Sequence, residues 1–311
     1  MKLIKPNFWD YKRPNLLSFI LLPFTVPLIL KNFLFKPNKN KNDKIKTICV
    51  GNIYVGGTGK TPLSIEIDKI LKKLNFKTAF IKKKYNSQLD EQKILIKNGK
   101  LFCKTKRKYA LKDAENSKVK VAIFDDGLQD NSVFFDLTFV CFNTENLYGN
   151  GMLIPSGPLR EKISSLKKYN AVFLNGNSKN NLKIKSLLKK QNPNIKIFEA
   201  IYMPTNLNII KKKNKYLIFS GIGNAKSFEK TLTNNNFNIV KSLEFPDHYN
   251  YTNKDMTKIK KLAKKLNAKI LTTEKDYIRL NKSKAKNIKF LKIKLSIFDK
   301  KKLINFLKNN L

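Results

Sequence analysis

From about residue 45 to residue 275 short apolar runs alternate with longer stretches in which apolar side chains recur three or four positions apart. The short runs read as strands buried on both faces, and the longer stretches as amphipathic helices. On this pattern KTICVGN is a buried strand and Thr61 to Leu74 a helix. TAFI is a second strand, and KILIKNGKLFC reads as a hairpin turning at Asn98-Gly99. VKVAIFDDG is a third strand and DLTFVCF a fourth. After a loop at 143–162 the alternation resumes through AVFLN and IKIFEAIY. KYLIFSGIG, a helix, FNIVKSLEF, the helix Asn253 to Leu266 and AKILTT form a further set. The rhythm predicts an α/β protein with a mostly parallel sheet, followed after about residue 204 by a smaller α/β unit. No internal repeat is visible.

The longest apolar run, LLSFILLPFTVPLIL, lies ahead of this alternation at Leu16 to Leu30. A membrane span needs about 18–20 apolar residues, so the run is short, and Pro23 and Pro27 interrupt it. Lys12, Arg13, Lys31 and Lys36 flank it, which suits contact with lipid phosphates. An interfacial anchor is the favoured reading over a true span or a buried helix, and no signal-peptide cleavage pattern follows. KPNKNKNDK, Lys36 to Lys44, is a polar linker.

Composition adds a net charge of +42, which first suggests nucleic acid or an anionic membrane surface. Of the 64 basic residues, however, only Arg13, Arg107, Arg160 and Arg279 are arginines. Lysine and asparagine share A-rich codons, and lysines spread over every segment read mainly as a solvated face. Neither aromatic residues interleaved with basic ones on one face nor arginine enrichment is evident, which argues against a nucleic-acid-binding module. The three cysteines form no C-x-x-C pair; Cys49 and Cys141 lie in strand-like runs and read as buried thiols of a reducing compartment.

Five stretches carry candidate chemistry. YVGGTGKTP, Tyr54 to Pro62, follows an apolar strand and opens a helix, the setting of a phosphate-binding loop. Its glycines let backbone N–H groups turn toward phosphate oxygens, Lys60 reaches the β- and γ-phosphates, and the Thr61 hydroxyl suits Mg²⁺. The leading glycine of G-x-x-x-x-G-K-[ST] is absent, and Tyr54 stands there. VAIFDDG ends a strand on Asp125 and Asp126, placed to hold Mg²⁺, with an Asp-Asp-Gly turn as the plainer alternative. GNGMLIPSGPLRE, Gly149 to Glu161, ends on Arg160-Glu161; an arginine kept in a chain that has nearly abandoned arginine suits a planar phosphate contact. His248, the sole histidine, follows Asp247 in FPDHYNYT, and TTEKDYIRL closes a strand at Thr272 to Leu280.

Together these motifs resemble the tetraacyldisaccharide 4′-kinase family, the kinase of the lipid A pathway. Members carry V-G-N-I-x-V-G-G-T-G-K-T-P, in which the leading glycine is likewise missing, so Tyr54 supports the likeness. D-D-G-L-Q matches Asp125 to Gln129, and G-N-G-x-L-x-P-x-G-P-L-R-E matches Gly149 to Glu161. G-I-G-N matches Gly221 to Asn224, D-H matches Asp247-His248, and T-T-E-K-D matches Thr272 to Asp276. The motifs keep the family order from about residue 47 to 280.

The resemblance implies a P-loop kinase-like sheet over 37–203, a smaller C-terminal α/β domain over 204–311, and a membrane-associating helix within 1–36. It implies ATP and Mg²⁺ as cofactors, and transfer of the γ-phosphate to the 4′-hydroxyl of a tetraacylated disaccharide 1-phosphate. The implied location is the cytoplasmic face of the inner membrane, peripheral or monotopic, with membrane lipids as partners and no nucleic acid or protein partner. Residues 54–61 (Tyr54, Val55, Gly56, Gly57, Thr58, Gly59, Lys60 and Thr61) and Gln129 are the implied nucleotide-binding set. Thr61, Asp125, Asp126 and Glu161 are the implied metal set. Asp90, His248 and Arg160 are the implied catalytic residues: members pair an acid of a G-D-E-P segment with the histidine of the D-H segment, and LDEQKIL places Asp90-Glu91 at that point. With Asp90 counted in the first domain and His248 in the second, closure is expected to assemble the site.

Three departures stand out. The family's S-R-G-Y-G segment is here IKKKYN with a short linker to Asp90. Leu89 and Gln92 replace the Gly and Pro around Asp90-Glu91, and Asp130 replaces the histidine that ends D-D-G-L-Q-H. A partitioning-type membrane ATPase is the alternative reading, but it requires a lysine where Val55 stands.

Overall fold

The computed structural model describes residues 5–34, 40–85, 88–176 and 181–311. The chain divides into two compact units: the larger holds Lys5–Tyr85, Leu95–Ile201 and Leu295–Leu311, and the smaller holds Tyr202–Lys294 together with residues 88–94. Twelve strands form two sheets among the described residues.

The larger sheet uses β1 (Lys46–Gly51), β2 (Thr78–Lys83), β3 (Leu101–Lys104), β4 (Val121–Asp125), β5 (Leu137–Asn143), β6 (Ala171–Asn175), β7 (Lys196–Pro204) and β12 (Ile293–Ile297). Their order is β12-β7-β6-β5-β1-β4-β2-β3. Every pairing from β7 through to β3 is parallel. β1 is the switch point, because β2, β3 and β4 lie on one side of it and β5, β6 and β7 on the other. Ligands of open parallel sheets bind at the carboxyl ends of strands at such a point. The central strands are apolar on both faces because helices cover both. Cys49, Phe124, Val140, Phe142, Val172 and Leu174 pack with Ala110, Leu111, Ile184 and Leu188 on one face. These four belong to α5 (Arg107–Asn116) and α6 (Asn181–Gln191). On the other face lie α3 (Lys60–Lys73) and the C-terminal α11 (Lys300–Lys308), with Phe306 set edge-on to Phe139.

The expected hairpin at 93–103 is not formed. Leu89–Asn98 is a helix, α4, which Gly99 closes by donating its N–H to the Leu95 carbonyl. β3 then runs parallel to β2, so a crossover helix is required where a two-residue turn was expected. In Ile94-Leu95-Ile96 only Leu95 reaches the core, and Ile96 is exposed.

The apolar N-terminal segment is interrupted as its prolines predict. It forms α1 (Leu16–Ile20), a short 3₁₀ turn over Leu22–Thr25, and α2 (Val26–Leu34). Among the described residues no helix is long and apolar enough to cross a membrane. The segment belongs to the larger unit. Trp9 donates its indole N–H to the Pro155 carbonyl at 2.9 Å, and Asn150 reaches Ser18 Oγ at 3.0 Å.

In the smaller unit β8 (Lys215–Ser220), β9 (Asn238–Glu244), β10 (Lys269–Thr273) and β11 (Ile288–Leu291) form a parallel sheet in the order β11-β10-β8-β9. Helices α7 (Ala225–Thr233) and α8 (Asn253–Lys265) cover it; α9 (Glu274–Arg279) and the short α10 (Lys282–Ala285) follow β10. Phe219, Tyr251, Met256 and Ile259 centre one core, and Tyr216, Ile218, Phe228 and Leu232 the other.

Candidate active site

The phosphate loop leaves β1 at the switch point. Gly59 caps α3 in the left-handed region (φ 91°), and Gly56 has φ 139°, conformations that a side chain would strain. Asn52, fully buried, braces the loop from beneath, donating to the Gly56 carbonyl at 3.2 Å and to Thr58 Oγ1 at 3.0 Å. Asn175 at the end of β6 donates to the Thr58 carbonyl. Val55 donates its N–H to the Pro158 carbonyl at 2.8 Å, tying the loop to the GNG segment. Gly57 stays exposed. The Tyr54 ring packs with Leu153 and Leu159, and its hydroxyl meets Asp10 and Lys5. Its side chain fastens the N-terminal segment.

Two chains of polar contacts spread from the loop. In the first, Asp125 at the end of β4 is fully buried and accepts from Thr61 Oγ1 and Ser64 Oγ, each at 3.1 Å. Lys82 of β2 places its ammonium 2.6 Å from the same carboxylate. In the second, Arg160 reaches Asp126 Oδ1 at 2.9 Å and Gln129 Oε1 at 3.3 Å, with Lys60 Nζ 3.9 Å from that Asp126 oxygen. Gln129 donates to Glu161 at 2.8 Å, and the Tyr169 hydroxyl lies within 2.9 Å of both Glu161 oxygens. Asp126 has a left-handed backbone (φ 61°), and the Arg107 guanidinium holds its carbonyl while pairing with Asp130 at 3.1 Å.

The expected Mg²⁺ set thus splits. Thr61 and Asp125 are in contact, whereas Asp126 and Glu161 sit in the Arg160–Gln129 chain. No group of three His, Cys, Asp or Glu side chains among the described residues forms a cage. A hydroxyl and a carboxylate converging beside a phosphate loop are the hard oxygen donors that Mg²⁺ takes when phosphate and water supply the rest. Thr61 and Asp125 fit that ion.

The smaller unit holds a second constellation. Asp90, near the start of α4, is buried, and its Oδ1 lies 3.1 Å from His248 Nδ1. Its Oδ2 accepts from Arg279 at 2.7 Å. Arg279 also donates to the Gly221 carbonyl at 2.6 Å and to Asp276 Oδ1 at 2.8 Å. Asp276 is fully buried and accepts further from Tyr251, Thr273 and the Gly221 N–H. Burial works against the Asp90 carboxylate, but the His248 hydrogen bond and the Arg279 and Lys275 charges overcome it and hold its pKa far below the usual carboxylate range. Burial lifts the Asp276 carboxyl above its usual value despite Arg279. Glu91 is engaged by Lys275 at 2.6 Å. His248 Nε2 lies 3.9 Å from Glu91 Oε1 and 3.8 Å from Asp247 Oδ1, and its backbone φ is 56°, sparsely populated outside glycine.

The sequence reading allots Asp90 to the first domain. In the structure residues 88–94 belong to the smaller unit, held by the Asp90–Arg279 and Glu91–Lys275 pairs, so the Asp90–His248 contact is formed within one unit. Lys82, Arg107, Lys275 and Arg279 have no role in that reading. The rarity of arginine is a usable signal: Arg107, Arg160 and Arg279 each donate to two or more acceptors.

Comparison with known proteins agrees over nearly the whole chain. The family described as tetraacyldisaccharide-1-P 4′-kinase matches residues 16–101 and 90–311. The tetraacyldisaccharide 4′-kinase of Pelagibacter ubique is 52% identical over 305 residues, covering 98% of this chain and 97% of the relative. That of Rickettsia canadensis is 37% identical, covering 96% and 94%. A crystal structure of LpxK from Aquifex aeolicus in complex with ATP has the same fold, with a TM-score of 0.69 at 22% identity over 94% of this chain and 99% of that one.

Proposed function

The chain belongs to the tetraacyldisaccharide 4′-kinase family, and from that premise we propose that it transfers the γ-phosphate of ATP to the 4′-hydroxyl of a tetraacylated disaccharide 1-phosphate at the cytoplasmic face of the inner membrane. The family match sets aside the partitioning-type ATPase. The observation that carries the finer reading is the Asp90–His248 contact, braced by Arg279, in a chain with a phosphate loop.

Nucleotide handling falls to 37–203 and acceptor handling to 204–311 together with residues 88–94. Backbone N–H groups of 56–59 and the N-terminus of α3 face the phosphates, and Lys60 adds charge on the β- and γ-oxygens. Thr61 and Asp125 would hold Mg²⁺, which would neutralise charge on the phosphates, while Asp126 and Glu161 position Arg160 and Gln129. Arg160, with Gln129, meets the transferring phosphoryl group. The 4′-hydroxyl is a weak nucleophile whose proton must leave as the phosphoryl group arrives. Asp90 and His248 accept it as a unit. Because Asp90 is strongly acidic at rest, the transfer comes late, when the hydroxyl itself has become acidic.

The assay that tests this reading follows γ-³²P from ATP to the disaccharide 1-phosphate in detergent micelles. Wild-type protein should transfer label, and Lys60→Ala should lose at least ~100-fold in turnover, since such phosphate contacts carry several kcal/mol at the transition state. Undiminished transfer by folded Lys60→Ala would sink the phosphate-loop assignment.

Membrane attachment follows from the exposed face of α1 and the residues after it. Leu16, Phe19, Ile20, Phe24 and Leu34 are each more than half exposed, beside Lys12, Arg13 and Lys31. Such a face suits the boundary of headgroups and acyl chains. Deleting the segment would also remove the Trp9 and Ser18 contacts to the 150–155 region, so side-chain changes are the cleaner test. Leu16→Ser, Phe19→Ser and Phe24→Ser combined should weaken sedimentation with anionic vesicles at least ~10-fold, since each buried apolar side chain contributes about 1.5–3 kcal/mol. ATP affinity should not change. Full retention on vesicles at moderate salt would mean that lysine charge alone suffices.

A further inference from the structure

Lys82 is the only buried lysine among the described residues, at 1% exposure. Compositional drift accounts for lysines that water solvates, but it does not place an ammonium inside a protein. A buried charge needs a partner, and here β2 and β4 supply the pair through their register. Ile81 lies opposite Phe124, so Lys82 and Asp125 emerge side by side at the carboxyl end of the sheet. The ammonium stands 2.6 Å from Asp125 Oδ2, the oxygen that also accepts from Thr61. Ser64 holds the other carboxylate oxygen.

Without Lys82, Asp125 would be a buried carboxylate whose described side-chain donors are two neutral hydroxyls. It would then depend on a bound cation for compensation. We propose that Lys82 is a resident cation of the nucleotide site: its ammonium supplies the counter-charge beside Asp125 and Thr61 when no Mg²⁺ is bound, and so lowers the dependence of ATP binding on Mg²⁺. This rests on reading Thr61 and Asp125 as the Mg²⁺ residues. The fixed positive charge beside them adds to Lys60 in attracting ATP and repels part of the divalent charge, so it strengthens binding of metal-free ATP and weakens the gain from Mg²⁺.

Calorimetric titration of ATP, with Mg²⁺ and with EDTA, into the full chain and into Lys82→Met, Lys82→Gln and Lys82→Arg tests it. The quantity read is the factor by which Mg²⁺ tightens ATP. That factor should rise at least ~10-fold in Lys82→Met and Lys82→Gln, through weaker binding in EDTA, and stay near the wild-type value in Lys82→Arg. In thermal denaturation the two neutral variants should recover more of their lost melting temperature with Mg²⁺ and ATP than wild type gains. An unchanged Mg²⁺ factor in the neutral variants overturns the proposal. So does unfolding of both that Mg²⁺ and ATP fail to reverse, because Lys82 would then serve the core alone. If the wild-type chain binds no ATP in either condition, the nucleotide-site reading itself fails.

Discussion

Alanine at Asp90, alanine at His248 and the double substitution should each lower turnover by a similar factor, on the order of 10²–10⁴, the range that a positioned acid–base pair contributes. The two share a hydrogen bond at 3.1 Å, so once either is lost the other has little left to contribute. ATP affinity should stay near wild type in all three, because Asp90 and His248 bond to each other and to Arg279 within the smaller unit. Single-turnover transfer of labelled phosphate at saturating ATP checks this. Effects that multiply would mean the residues act separately. Glu91→Ala is the informative neighbour: Lys275 engages Glu91, so its loss should cost far less than that of Asp90. A dead Glu91→Ala beside an active Asp90→Ala would place the base one residue on, a consequence of the shortened segment before it.

Replacing Arg279 by Met should destabilise the smaller unit by about 3–5 kcal/mol, the usual result of removing one partner from a buried charge pair. Arg279 serves Asp90, Asp276 and the Gly221 carbonyl at once, and Met fills its volume without compensating either carboxylate. Asp90 gives this a pH signature. Its pKa in the folded chain is depressed, so its contribution to stability is present above the unfolded value of about 3.9 and is lost as pH falls through the folded value. Removing Arg279 takes away one of the charges that depress it. Both the acid side of the stability curve and the acid limb of turnover should therefore move to higher pH in Arg279→Met. His248 and Lys275 also face Asp90 and limit the size of the move. Arg279→Lys restores charge without the fork and should recover part of the stability. Denaturant melts and single-turnover rates from roughly pH 2 to pH 7 measure the two effects, and an acid limb that stays in place would show that Arg279 does not set the ionisation of Asp90.

Legibility in the sequence followed the range of the forces. Strands β1, β2 and β4 to β10 carry continuous or alternating apolar runs, and α3 and α8 carry helical spacing, so each is written in a few neighbouring residues. In the segment 93–103, Ile94-Leu95-Ile96 suits either state. Parallel pairing with β2 decides for helix, and that pairing involves residues up to about twenty positions away. Elements α5, β11, β12 and α11 lie outside the sequence reading. β12 and α11 take their partners from elsewhere in the chain, as with Phe306 on Phe139.

The sequence by itself determined the phosphate loop, the Asp125-Asp126 turn and the family. A phosphate loop must be a strand, glycines, Lys-Thr and a helix in direct succession, because backbone N–H groups and one helix end form it. Tertiary structure alone decided which side chains compensate which charges. Lys82 and Arg279 are, on the page, one lysine among many and one arginine near a helix end. Only the register of β2 on β4 sets Lys82 against Asp125, and only the packing of residues 88–94 with α9 sets Arg279 against Asp90. A buried charge must find its counter-charge within a few ångströms, and nothing in local propensity records which distant residue will supply it.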